Sequence, residues 1–398
     1  MNKNFPFYDW VPKPLGIIFL ILLFIPIMTV SGVYSANSSE MVGGLGIQSE
    51  HISFVGFVTS VGMAAFSPFF YTVVCLRRHK LMSLIGFPIL IVLSYVCART
   101  ESVFVLGLCS LIMGFVRQTL LMTTLFTLIK YGFHVEATNN LTAGNEPLTE
   151  EGWDKLDTEK TTSMPTTYFF FTVLGQLGTW LTAWFAYYYE WQYVYYAMMA
   201  SMLVAVLITL IAMPFNPYPT KHPPLSFSKF GNVVVFSAMC CSFIYIMVYG
   251  KTLDWYDDPT ICWSTVICIF STLLFFYLEK NRQSPYFVLE ALKWRSIQGG
   301  ILLFLGLMIL NSSQLFVNVF VGVGMKCDNL QVAELGNWTL VGYFIGLVFA
   351  VFASAKHIHL KWLFSMGFVF IGLAALYMYF EVQSDGMYER MKWPVIIR

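Results

Sequence analysis

Leu15–Tyr34 reads LGIIFLILLFIPIMTVSGVY, twenty residues without one charged side chain. A helix needs roughly 20 mostly apolar residues to cross the hydrocarbon core of a bilayer. Lys3 and Lys13 precede the run, and no small-x-small cleavage site adjoins it. It is therefore expected to stay in the protein as a first membrane helix and not to be removed as a signal peptide. The same reading repeats along the chain, at Phe54–Val74, Leu81–Ala98, Val103–Ile129, Thr167–Ala186, Val194–Met213, Asn232–Tyr249, Thr260–Tyr277, Ile297–Gly322, Trp338–Ala355 and Trp362–Phe380. That makes eleven expected spans.

Composition agrees. Apolar residues make up 57% of the chain and charged residues 11%, against roughly 25% charged in soluble domains. Mean hydropathy is +0.67. In lipid only helices and closed barrels satisfy every backbone group, and these long continuous runs lack the ~10-residue alternation of barrel strands. The expected fold is an all-α polytopic membrane protein. A net charge of +1 gives no electrostatic case for nucleic acid. Cys97, Cys109, Cys240, Cys241, Cys262 and Cys268 lie in spans and form no CxxC, so they read as packing residues.

Basic residues orient the chain. With the N-terminus in the cytoplasm, the inner segments carry Lys3, Lys13, Arg77, Arg78, Lys80, Lys221, Lys229, Lys280, Arg282, Lys293, Arg295, Lys356 and Lys361. The outer loops carry only Arg99, Lys251 and Lys326. This is the positive-inside bias of an inner or plasma membrane protein. The acidic segment 131–166 falls inside and is expected to be a solvated loop. Proline-rich Pro214–Pro224 and the basic segment Glu279–Ser296 then divide the chain. Residues 1–213 form a six-helix bundle, 214–296 a linker with two extra helices, and 297–398 three helices of a second bundle.

Several motifs carry a resemblance. Glu279-Lys-Asn-Arg-Gln-Ser-Pro285, with Leu289 and Lys293-Trp-Arg295, forms an acidic and basic entry into the last group of helices. Tyr249-Gly250 and Trp255 lie between the extra helices, and Glu190-Trp191-Gln192-Tyr193 lies between the fifth and sixth. Leu76-Arg77-Arg78-His79-Lys80 follows the second span, and Arg117-Gln118 lies in the fourth. In layout and in these motifs the chain resembles the fourteen-span drug/proton antiporter branch of the major facilitator superfamily. Gln192 stands where that branch has an arginine, and the Asp and glycines that accompany its basic cluster are missing here. The resemblance implies export of amphipathic small molecules by alternating access. It also implies coupling to protons, a gating role for Arg77, Arg78 and Lys80, and three further helices beyond residue 398. In a Gram-negative cell a periplasmic adaptor is an expected partner. No cofactor is expected.

Arg117 is the first candidate for chemistry, because a charge within a span is costly and defaults to function. Gly114, Thr124 and Thr127 share its helix face. Two roles compete for it: a cavity-facing contact for an anionic substrate, or a tie to neighbouring backbone carbonyls. Asn311, Gln314 and Asn318 share a face of the ninth span, and Thr172, Gln176 and Thr179 a face of the fifth. Arg117, Thr124, Gln176, Asn311, Gln314 and Asn318 are thus the expected lining of a substrate path. Gly175 and Gly178 are expected to let a neighbouring helix approach closely.

Other signals are weak. His357-Ile-His359 lacks a third ligand, so no metal is expected. Gly43-Gly44-Leu-Gly46 has no βαβ context and is not a nucleotide site. No Asp or Glu is expected inside a span, since Glu190, Asp254, Glu279 and Glu290 stand at the edges. Proton coupling therefore rests on the resemblance alone. The competing readings are a membrane protein that does not transport, or a truncated one. A membrane-embedded enzyme is disfavoured because His79, His134, His222 and His357 are scattered.

Overall fold

The computed structural model describes residues 6–69, 79–132, 150–215, 228–280, 292–356, 360–382 and 388–398. Among them the regular elements are helices, without a strand: α1 (Lys13–Ala36), α2 (Ser38–Leu45), α3 (Ser49–Ala65), α4 (His79–Arg99), α5 (Val103–Gly132), α6 (Glu150–Tyr188), α7 (Trp191–Ala212), α8 (Ser228–Tyr249), α9 (Pro259–Lys280), α10 (Arg295–Val319), α11 (Asn329–Ala355), α12 (Leu360–Glu381) and α13 (Tyr388–Ile397). Ten helices among the described residues are long and apolar enough to cross a membrane, and α10 adds a shorter described apolar stretch, Arg295–Leu310. The chain is an all-α polytopic membrane protein.

Packing divides the helices into two compact units that do not follow sequence order. The first comprises Met1–Leu128 and Phe185–Trp294, the second Ile129–Trp184 and Arg295–Arg398. Most of α6 therefore groups with α10–α13, while the two extra helices, α8 and α9, group with the N-terminal ones.

In the first unit α4 lies along α7, α1 packs on α7 and α3, and the α8–α9 hairpin docks on α3 through α8. Helices α3 and α5 cross with almost no side chain between them. A Cβ on Gly62 would run into the Leu111 carbonyl oxygen, and one on Gly114 into that of Thr59. Small residues allow such backbone approach in membranes, where packing drives helix association. The α8–α9 turn closes on itself: Trp255 N–H donates to the Gly250 carbonyl at 2.7 Å. Its ring lies where a Cβ of Gly250 would stand. Asp254 and Trp255 take left-handed backbone, at φ 52° and 55°.

In the second unit α13 seats on α11 and α12. Met391 and Val395 are buried with Val317, Val321 and Leu335. A Cβ on Gly342 would strike the Ile396 carbonyl, and the Tyr388 hydroxyl donates to the Gln331 carbonyl at 2.9 Å.

One sequence expectation needs correction, and two further segments prove helical. The segment 131–166 is not a loop throughout, because α6 begins at Glu150 and continues into the fifth span. An apolar window marks the membrane crossing and says nothing of where the helix starts. The tail 381–398 contains helix α13, since Met391, Pro394 and Val395 are spaced to bury one face. Gly43 and Gly44 lie in α2, which ends on Gly46 in the left-handed conformation (φ 64°).

Candidate functional site around Arg117

Arg117 sits on α5 where α1 and α3 meet it, with 6% of its surface exposed. The Gly62/Gly114 crossing draws α3 close enough for Met63 to reach the guanidinium. Nε donates to the Ile27 carbonyl of α1 at 2.8 Å. Nη1 contacts the Met63 sulfur, and Nη2 lies 3.9 Å from the Met28 sulfur. Pro26 interrupts the hydrogen-bond ladder of α1 one residue before Ile27, and the Thr29 hydroxyl donates to the Pro26 carbonyl at 2.9 Å. No carboxylate forms an ion pair with Arg117 among the described residues; the ion pairs found there, Arg390–Glu381 and Lys392–Glu389, lie near the C-terminus.

A guanidinium has five N–H donors, and thioether sulfur is a weak acceptor. Arg117 is thus a buried cation with one good acceptor and two poor ones. That arrangement suits an incoming anionic group, which can displace sulfur from the guanidinium without breaking the bond to Ile27.

The rest of the α5 stripe is buried and bonded to its own helix. Thr124 Oγ1 donates to the Leu120 carbonyl at 2.8 Å. Thr127 Oγ1 donates to the Thr123 carbonyl at 2.7 Å and lies 2.9 Å from His79 Nδ1. Lys80 is buried at the start of α4. Its Nζ donates to the Leu210 carbonyl at 2.9 Å and stands 4.2 Å from the Phe215 ring centroid. It ties α4 to the end of α7. Arg77 and Arg78 lie outside the described residues, as do His357 and His359.

The remaining predicted residues belong to the second unit. Gln176 Nε2 donates to the Ala333 carbonyl of α11 at 3.3 Å, above Gly336, where a Cβ would meet the amide. Asn318 is exposed on α10. The side chains of Asn311 and Gln314 lie outside the described residues. A Cβ on Gly175 would meet nothing within 4 Å, whereas Gly178 is buried. Arg117 and Thr124 are thus both buried on α5 with separate partners, and Gln176 is held at the α6–α11 contact.

Glu279, expected at the edge of a span, is the next-to-last residue of Pro259–Lys280, but its burial, at 3% exposed, was not foreseen. It accepts a hydrogen bond from Asn232 Nδ2 at 3.0 Å. The available signal was the hairpin itself. Antiparallel α8 and α9 place the start of one beside the end of the other, which puts Asn232 and Glu279 at one level; the rotation of the two helices then turns them together. A second polar contact, Tyr34 Oη with Ser110 Oγ at 2.6 Å, joins α1 to α5. No group of three or more metal-binding side chains occurs among the described residues.

No protein-family model matches the chain, and no characterised protein matches it significantly.

Proposed function

We propose that this membrane protein is a secondary transporter of the major facilitator type that exports amphipathic small molecules by alternating access. It would lie in the inner or plasma membrane with its N-terminus in the cytoplasm, and protons would be the coupling ion. The observation that carries the reading is Arg117, a buried cation without a carboxylate partner among the described residues and with weakly held donors. A charge kept inside a span at a cost of at least ~2.5–3.5 kcal/mol marks a substrate or ion pathway by default. The layout of spans and the motifs Glu279–Arg295 and Gly250…Trp255 support the family assignment.

The test is expression in a strain stripped of its own efflux pumps. Lower dye accumulation and higher drug tolerance are expected, and Arg117→Gln should abolish both. Unchanged accumulation despite good membrane levels of the protein would rule export out.

A protein that does not transport is the second reading. The 2.8 Å bond from Arg117 Nε to the Ile27 carbonyl favours it, because that bond makes the arginine a tie between helices. On this reading Arg117→Gln lowers thermal stability and changes no accumulation.

A further inference from the structure

Helix α3 touches the α8–α9 hairpin at both ends and stands away from it in the middle. At one end, the Phe54 ring lies 5.7 Å from those of Tyr245 and Tyr249, and His51 Nδ1 meets the Tyr249 hydroxyl at 2.5 Å. At the other, Phe66, Phe69 and Val233 form a buried cluster with Phe236 against it, and Phe236 in turn packs on Phe275 at 5.8 Å. Between these two contacts lies a cavity of about 460 Å³ lined by Phe57, Val61, Met239, Phe243, Cys268 and Thr272, among others. That volume falls within the roughly 300–1,000 Å³ of small-molecule sites.

We propose that this groove holds one acyl chain of a membrane phospholipid as a bound structural lipid. Depth is the first argument. Ser60, Cys240 and Cys268 lie near the middles of the spans Ser49–Phe69, Phe230–Tyr249 and Pro259–Lys280, where the surrounding medium is hydrocarbon and not water or headgroup. Wall chemistry is the second. The Thr272 hydroxyl is spent on the Cys268 carbonyl at 2.7 Å, and the Cys268 thiol faces the Met239 carbonyl at 3.9 Å. Sites for specific small molecules add a few convergent polar groups to an apolar pocket to fix orientation. Apart from the Ser60 hydroxyl and the Cys240 and Cys268 thiols, the walls are aromatic, aliphatic and thioether, which suits a flexible unbranched hydrocarbon. Packing is the third. Contacts at both ends hold the gap open, so an occupant replaces the dispersion contacts that the walls would otherwise lack.

The proposal does not depend on transport. Its test is photolabelling of the full chain in phosphatidylcholine nanodiscs that contain a lipid with a mid-chain diazirine, followed by peptide mass spectrometry. Peptides covering Phe57–Ala64 and Met239–Ile244 should be labelled several-fold more than Val369–Leu376, an exposed apolar stretch of α12. Ala64→Phe should reduce groove labelling several-fold and leave the α12 peptide unchanged. Cys240→Phe fills the same space from the facing helix and serves if Ala64→Phe does not fold. Equal labelling of groove and α12, or labelling unaffected by both fillings, would overturn the proposal. So would groove labelling by a diazirine alkylammonium amphiphile with none by the phospholipid, which would make the site one for a soluble amphiphile.

Discussion

Arg117 donates through Nε to the backbone carbonyl of Ile27 at 2.8 Å, so among the described residues the buried charge of α5 is held by the main chain of α1 and not by a carboxylate. A carbonyl can accept this bond and keep its place in the helix, so removing the guanidinium strands no opposite charge. A lone charge inside a span is held at a cost of at least ~2.5–3.5 kcal/mol, which an apolar side chain of similar length does not carry. Arg117→Met is therefore expected to melt at or above the wild-type temperature in detergent while losing export. A marked fall in melting temperature with export retained would assign Arg117 to the scaffold.

The α3–α5 crossing gives a second expectation. At Gly62 and Gly114 the obstacle to a Cβ is backbone on the facing helix, including Phe115 N at 3.0 Å and Met63 N at 3.1 Å. Backbone cannot move aside as a side-chain tip can. Gly62→Ala and Gly114→Ala should each destabilise by about 1–3 kcal/mol. Gly175→Ala, with open space around it, should be neutral or gain up to ~1 kcal/mol in helix propensity. Thermal melts of the three variants in one detergent check the order.

These glycines show how far the sequence could be read. Helix existence and membrane embedding follow from hydropathy, because each span must satisfy its own backbone in lipid. Which glycine meets a neighbour depends on helix rotation, which the low amphipathicity of a lipid-surrounded helix does not encode. Gly175 and Gly178 stood out by motif, yet the close crossing uses Gly62 and Gly114. The one legible hint was the Ser110/Gly114 small-xxx-small spacing. Arg117 was legible as a buried charge, but its acceptors, a carbonyl and two thioethers, leave no sequence signature. Grouping of α6 with α10–α13 was illegible as well, because chain order alone suggests that neighbours in sequence pack together.

Glu279 and Asn232 join the two ends of the α8–α9 hairpin. Asn232→Leu deprives a buried carboxylate of a donor, which costs about 1–3 kcal/mol or more for a charged group. The double variant Asn232→Leu, Glu279→Leu removes both polar partners and should recover part of that loss. Melting temperatures of the two single variants and the double variant, read as a cycle, measure the coupling. Strict additivity would mean that the 3.0 Å bond contributes nothing.

Asp258 supplies a test by pH. It precedes Pro259 at the start of α9 and accepts hydrogen bonds from the Thr260 backbone N–H at 2.7 Å and the Thr260 hydroxyl at 2.5 Å. Both bonds favour the ionised carboxyl and hold its pKa below the ordinary aspartate value. Because the folded pKa is depressed, the stabilisation is complete above the unfolded aspartate pKa. It is lost as pH falls through the lower folded value. A ¹³C-aspartate titration by NMR should therefore find this carboxyl still ionised where unperturbed aspartates are half protonated. Thr260→Val removes the hydroxyl bond, keeps the backbone one and should move the midpoint part of the way back. An unshifted midpoint in the wild type would show that this cap does not form in solution.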